Sequence, residues 1–177
     1  METHKFKVLI FGNGGVGKTC LINRFLTGSF IRGAITIGVD FHIKMIDTEG
    51  KKVTLLIWDF AGEQHFRFLL PSYAEGSHGG IFMFDLTRFS SLDNIHEWLT
   101  IFGQGLKRNN EGEIPLIMVG SKLDLELERI ISHQEAEIIA RKHKFYDYIE
   151  CSSKNGKNVE EIFIRIARIM MEKAGLI

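Results

Sequence analysis

The sequence predicts an α/β protein, a largely parallel β-sheet with helices covering its faces. Two patterns carry the prediction. Apolar runs of strand length alternate with stretches of helical spacing, which is how strands joined by crossover helices read. Three of those runs, residues 6–11, 80–86 and 114–120, are almost continuous in apolar residues, as strands buried on both faces must be. At 177 residues the whole chain, 1–177, is expected to form one domain around one core. Its 22 Lys and Arg balance 22 Asp and Glu, so no basic excess draws it non-specifically to nucleic acid or to an anionic membrane. Any polyanion must be held by a local site. Glycine, at 18 residues, exceeds the roughly 12 that average usage of about 7% gives, and marks where special backbone is needed.

The elements follow in order. Residues 6–11 lead through a glycine-rich turn into the helical pattern Leu21, Ile22 and Phe25. Residues 39–47 alternate around Phe41, Ile43 and Met45, and Asp47-Thr48-Glu49-Gly50 separates them from residues 53–58. This reads as an antiparallel hairpin at one edge of the sheet. After the run 80–86, Ser91 or Asp93 is placed to cap a helix whose Leu92, Ile95, Leu99 and Phe102 share a face. The run 114–120 comes next, then Ser132 with Glu135, a capping-box spacing that opens another helix. The cluster Arg141-Lys142-His143-Lys144 falls where that helix should end, and cations are favourable there, so it reads as a solvated face. A last strand spans 146–151. The closing helix carries Val159, Ile162, Phe163, Ile166, Ile169 and Met170 at i, i+3, i+4, i+7 spacing, a stripe for the core.

Between the first strand and its helix stands Gly12-Asn13-Gly14-Gly15-Val16-Gly17-Lys18-Thr19, which matches G-x-x-x-x-G-K-[ST] in the context a P-loop requires. Glycines let consecutive backbone N–H groups turn inward around phosphate oxygens, and the helix behind them adds its positive N-terminal end. Lys18 supplies a point charge for the β and γ phosphates, and the Thr19 hydroxyl is a magnesium ligand. The nucleotide-facing stretch therefore runs from Gly14 through Gly15, Val16, Gly17, Lys18 and Thr19 to Cys20. Asp59, at the tip of the second hairpin strand, begins a D-x-x-G arrangement with Gly62. A carboxylate there can hold magnesium, and Gly62 brings a backbone N–H towards a γ-phosphate. After residues 114–120 come Ser121-Lys122-Leu123-Asp124. The Asp124 carboxylate can accept two hydrogen bonds from the N1–H and amino group of guanine, a pattern adenine does not offer. Ser152-Ser153-Lys154, after the last strand, can bring N–H groups to the guanine O6 and the Lys154 stem over the base.

With these motifs in place the chain resembles Ras-type small GTPases across residues 6–171, and Thr36-Ile37-Gly38-Val39-Asp40-Phe41 is similar to the Rab branch. The resemblance implies a P-loop NTPase of Ras-like architecture: six strands, mostly parallel with one antiparallel edge strand, and about five helices. It implies GTP and GDP as ligands, magnesium at Thr19, Thr36 and Asp59, and Phe30 against the base. Thr36 would close over the γ-phosphate, so that segments 30–40 and 60–73 become switches. It also implies a GTPase-activating protein, an exchange factor and effectors acting on a monomer that hydrolyses GTP slowly by itself, with Lys18, Thr36 and Gly62 in the catalytic set.

Three departures stand out. Glutamine normally follows the D-x-x-G glycine and orients the attacking water; here Glu63 holds that place and Gln64 comes next, so either residue is a candidate. A carboxylate there adds like-charge repulsion to a γ-phosphate, which keeps open a nucleotide-binding scaffold with negligible hydrolysis. Ser121 replaces the asparagine that usually opens the base motif and offers a single donor, so weaker tethering of its loops is expected. Residues 68–71 and 74–76 depart from Rab sequences, and no cysteine stands at the C-terminus for prenylation.

Cys20 and Cys151, the two cysteines, read as packed thiols in a reducing compartment. No signal peptide or apolar membrane span is visible, so the expected location is cytoplasmic, with membrane contact only through a partner or a further C-terminal tail. His65 reads as a partner-contact residue, and Trp58 and Trp98 as core or edge aromatics.

Overall fold

The computed structural model describes residues 4–33, 35–107 and 113–177. Six strands form one sheet in the order β2-β3-β1-β4-β5-β6. They are β1 (His4–Phe11), β2 (Val39–Thr48), β3 (Lys51–Phe60), β4 (Gly79–Asp85), β5 (Leu116–Ser121) and β6 (Asp147–Glu150). Every pairing is parallel except β2 with β3, as the hairpin reading required. The hairpin turn is tighter than the sequence suggested. The ladder continues to Thr48 opposite Lys51, leaving only Glu49 and Gly50, at φ 49° and 68°, in the loop. Two consecutive left-handed residues make the two-residue turn whose twist matches paired strands.

Five α-helices lie among the described residues: α1 (Lys18–Thr27), α2 (Leu70–Ala74), α3 (Ile95–Lys107), α4 (His133–Lys142) and α5 (Val159–Lys173). Alternation along each strand divides the core in two. Val8, Ile10, Ile81, Met83, Ile117 and Val119 face α1 and α5, where the predicted stripe of α5 is buried. Leu9, Phe11, Phe82, Phe84 and Met118 face α2, α3 and α4. Trp98 is fully buried on that second side and Trp58 lies at its border.

Two helix starts are built differently. Ser132 and Glu135 form both hydrogen bonds of the capping box. α3 begins at Ile95, directly after Asn94, so neither Ser91 nor Asp93 stands immediately before it, and Ser91 is used elsewhere. Its buried hydroxyl is 2.9 Å from the Asp85 N–H, which it accepts, and donates to the Arg88 carbonyl at 2.7 Å, closing the turn after β4. A serine close to a tight turn satisfies the turn's own backbone first. The apolar face of edge strand β2 points outward, with Phe41, Ile43 and Met45 41%, 60% and 55% exposed. No helix among the described residues is long and apolar enough to cross a membrane.

Candidate functional site

The carboxyl ends of β1, β3, β5 and β6 converge on one side of the sheet, with β1 between strands whose connections run in opposite directions, the place where open α/β sheets bind ligands. Residues 12–17 turn from β1 into α1, with Gly17 in the left-handed region at φ 101°. The Lys18 ammonium folds back and donates to the carbonyls of Gly12 and Asn13, both at 2.8 Å. It is 6% exposed. Burial lowers its pKa to about 8, although Asp59 and Glu63 support the charged form; Arg88 works against it.

Asp59 is fully buried. The Thr19 hydroxyl donates to Asp59 Oδ2 at 2.6 Å, and the Thr36 hydroxyl lies 2.6 Å from that of Thr19 and 3.5 Å from Asp59 Oδ2. Asp59 Oδ1 is buried without a partner. Burial raises the Asp59 pKa, against hydrogen bonding from Thr19 and the charge of Lys18. Two hydroxyls and a carboxylate with an orphaned oxygen suit a hard divalent cation that completes its shell with water and phosphate, as magnesium does. The donor set therefore fits the implied ion.

Gly14, Gly15, Gly17, Lys18, Thr19, Cys20, Thr36, Gly62 and Glu63 line a cavity of about 340 Å³. Val16, Phe30, Ser121, Lys122, Asp124, Ser153 and Lys154 line a second of about 310 Å³. Gly17, Cys20, Arg32 and Lys122 border both, so the two halves form one trough. Gly62 shows how closely the loops approach. A Cβ on it would stand 2.2 Å from the Gly14 nitrogen.

In the second half, Ser121 Oγ lies 2.6 Å from the Val16 carbonyl and 2.8 Å from that of Phe84, so one hydroxyl proton serves two acceptors. The Lys122 ammonium pairs with Asp85 at 2.6 Å. Ser152 is buried behind the cavity and donates to Asp124 Oδ1 at 2.6 Å, orienting that carboxylate. Backbone bonds from Cys151 to Gly120 and from Leu123 to Cys151 hold the two loops together.

Of the two switch candidates for the attacking water, Glu63 lines the trough. Its Oε1 stands 2.8 Å from the point a Cβ on Gly14 would occupy. Gln64 opens a 3₁₀ turn, Gln64–Leu69, is exposed, and is not among the lining residues. His65 is exposed beside it. Sequence reasoning missed Arg32, Gly33, Ile35 and Leu125 in the lining, which carry no motif. It also gave no role to two side chains that brace the P-loop, one within it and one behind it. Asn13 Oδ1 accepts from Arg67 at 3.1 Å, Asn94 at 2.9 Å and Trp98 at 2.8 Å. Arg88 donates to the Gly14 carbonyl at 2.6 Å.

The Ras family profile matches residues 7–172. The chain belongs to that family. Among its relatives, Ras-related protein Rab-13 of Bos taurus is 38% identical over 173 residues, covering 97% of this chain and 83% of that protein. Ras-related protein Rab-19 of Bos taurus is 33% identical over 172 residues, covering 97% and 77%. Ras-related protein Rab-26 of Homo sapiens is 35% identical over 171 residues, covering 96% and 65%. This Ras-family chain is thus a Rab-like small GTPase, with the expected P-loop GTPase fold.

Proposed function

We propose that the chain is a guanine-nucleotide switch that hydrolyses GTP to GDP and phosphate, slowly by itself, and orders segments 30–40 and 60–73 around the γ-phosphate. The observation that carries the reading is the continuous trough. One end offers P-loop amides, a buried ammonium and an unpaired buried carboxylate oxygen; the other offers Asp124 beside Phe30 and Lys154. In this reading the amides of Gly14, Gly15, Val16 and Gly17 cradle phosphate oxygens, with Cys20 at the base of the cradle and Lys18 meeting the β and γ groups. Asp124, oriented by Ser152, selects guanine; Ser153, Lys154 and Phe30 enclose the base, and Ser121 and Lys122 tie its loop to the P-loop and to β4. Magnesium, when held by Thr19, Thr36 and Asp59, supplies charge neutralisation to the phosphate oxygens. Gly62 offers its N–H to the γ-phosphate, and Glu63 faces the water ahead of Gln64. An activating protein, an exchange factor and effectors would act on the monomer's switch surface, where Ile35, Ile37 and Phe68 are 80%, 82% and 76% exposed.

Extraction of nucleotide from the purified protein, followed by timed single-turnover phosphate release, tests the proposal. Guanine nucleotide and magnesium-dependent release that falls in Lys18→Ala are expected. Adenine in the extract, or equal turnover by Lys18→Ala, refutes it. A second reading, a nucleotide-binding scaffold with negligible hydrolysis, is supported by the Glu63 carboxylate against Gly14, where it meets a γ-phosphate with like charge. GTP left intact over hours selects that reading, and Glu63→Gln then accelerates hydrolysis if the carboxylate is the cause.

A further inference from the structure

We propose that Arg88 is a positioning residue for the phosphate chemistry, acting through the Gly14–Gly15 peptide: its guanidinium grips the Gly14 carbonyl from behind the P-loop and so aims and strengthens the Gly15 N–H. The proposal rests on the guanine-nucleotide reading above.

Arg88 Nη2 donates to the Gly14 carbonyl at 2.6 Å, across 74 residues of sequence. The two terminal nitrogens stand 3.7 and 4.0 Å from the point a Cβ on Gly15 would occupy, so the guanidinium lies along this one stretch of backbone. A hydrogen bond with a charged donor is roughly twice as strong as a neutral one. The peptide it holds is trans and planar, which places its C=O and N–H on opposite sides. Gly14 and Gly15 line the phosphate half of the trough and Arg88 does not, so the N–H side is the cavity side. Among the described residues no protein group accepts from the Gly15 N–H.

Such a peptide needs an outside hold. Gly15 sits at φ 73°, in the left-handed region, and neither glycine carries a Cβ to limit the peptide between them. A cation on the carbonyl oxygen removes that freedom and, by polarising the peptide, makes the N–H a better donor. The arginine is itself fixed. Its main-chain N–H donates to the Asp85 carbonyl at 3.0 Å and its own carbonyl accepts from the Ser91 hydroxyl at 2.7 Å, while the Asp85 carboxylate is ion-paired to Lys122, so the stem springs from a tied turn. Its Nε is buried without a partner, a desolvation cost that stapling a loop does not require. The charge is what the site gains in exchange, and its field reaches Lys18, whose ammonium it disfavours.

The experiment compares the parent with Arg88→Met, which keeps the stem and removes the charge, and Arg88→Lys, which keeps the charge and loses the fork. Two readouts are taken: the Gly15 amide resonance in ¹⁵N-labelled, GDP-loaded protein, and single-turnover GTP hydrolysis. Arg88→Met is expected to move the Gly15 ¹⁵N resonance upfield and to slow hydrolysis by about tenfold or more, the equivalent of a charged hydrogen bond. Arg88→Lys is expected to fall between the two in both readouts, and carries the test if Arg88→Met does not fold. An unmoved Gly15 amide overturns the proposal, as does a rate within about twofold of the parent. A parent that fails to hydrolyse GTP refutes the switch reading instead, and the Gly15 amide still decides whether Arg88 acts on this peptide.

Discussion

Lys18 is held at an energetic disadvantage, and the size of that disadvantage is measurable. Burial lowers its pKa from 10.5 to about 8, so the folded, nucleotide-free protein opposes the charged form by about 3 kcal/mol at 1.36 kcal/mol per pKa unit. Replacing it in Lys18→Met removes the charge but also removes two donors from the Gly12 and Asn13 carbonyls, at about 1 kcal/mol or less for each. The nucleotide-free variant is therefore expected to be more stable than the parent by about 1–2 kcal/mol at pH 7, while losing its hold on GTP. The sign has a pH signature. Because the folded pKa is below the unfolded one, the unfolded chain carries more protons between about pH 8 and 10.5, and the parent gains stability as pH rises through that window. The penalty is full below about pH 8. Urea unfolding of both proteins with nucleotide and magnesium removed, at pH 7, 8.5 and 10, reads the difference directly. A parent more stable than the variant at pH 7, or a gap that stays constant to pH 10, refutes the reasoning.

Three further predictions follow from individual contacts. Gly62→Ala places a Cβ 2.2 Å from the Gly14 nitrogen and 2.3 Å from the Asn13 carbonyl carbon, both backbone atoms; the loops must part, costing about 1–3 kcal/mol of stability and abolishing any preference for GTP over GDP in fluorescent-nucleotide titrations. Ser121→Asn supplies two N–H donors where one hydroxyl now serves Val16 and Phe84, and should slow GDP dissociation about fivefold in stopped-flow displacement; faster release would show that the larger side chain does not fit. Ser132→Ala removes the cap of α4 and should cost about 1 kcal/mol in chemical denaturation with nucleotide affinity unchanged.

What could be read from the sequence divides along physical lines. The P-loop is legible because its chemistry demands glycines, one lysine and one hydroxyl at fixed spacing, and because β1 and α1 flank it as runs of clear period. The buried strands and the α5 stripe are legible because burial on two faces, or along one stripe, leaves little choice of residue type. The hairpin turn reads two residues too long in the sequence, since Asp47 and Thr48 are turn-forming types that the ladder nonetheless absorbs. Ser91 and Asp93 both read as caps of α3, which starts only at Ile95, because a cap and a turn use the same serine and aspartate chemistry and only the path of the chain separates them. Arg88 carries no signal at all, and Asn13 fills only a variable place in the P-loop pattern. Their partners lie more than 50 residues away, and an arginine after a strand looks like any surface charge until the fold brings it behind Gly14.

The strand order has a consequence for how the molecule comes into being. Residues 12–19 supply one end of the trough, while Asp124 and Lys154 follow β5 and β6, the strands added last along the chain and outermost in that half of the sheet. On the proposed reading, a nascent or clipped chain lacking β6 would own a phosphate loop and no complete base pocket. Nucleotide affinity is therefore a property of the finished topology, and a ligand that binds only that state stabilises all of it together by mass action. On that reading a bound nucleotide would act as a clasp between early and late parts of the chain, which are joined by contacts of long sequence separation that are slow to form.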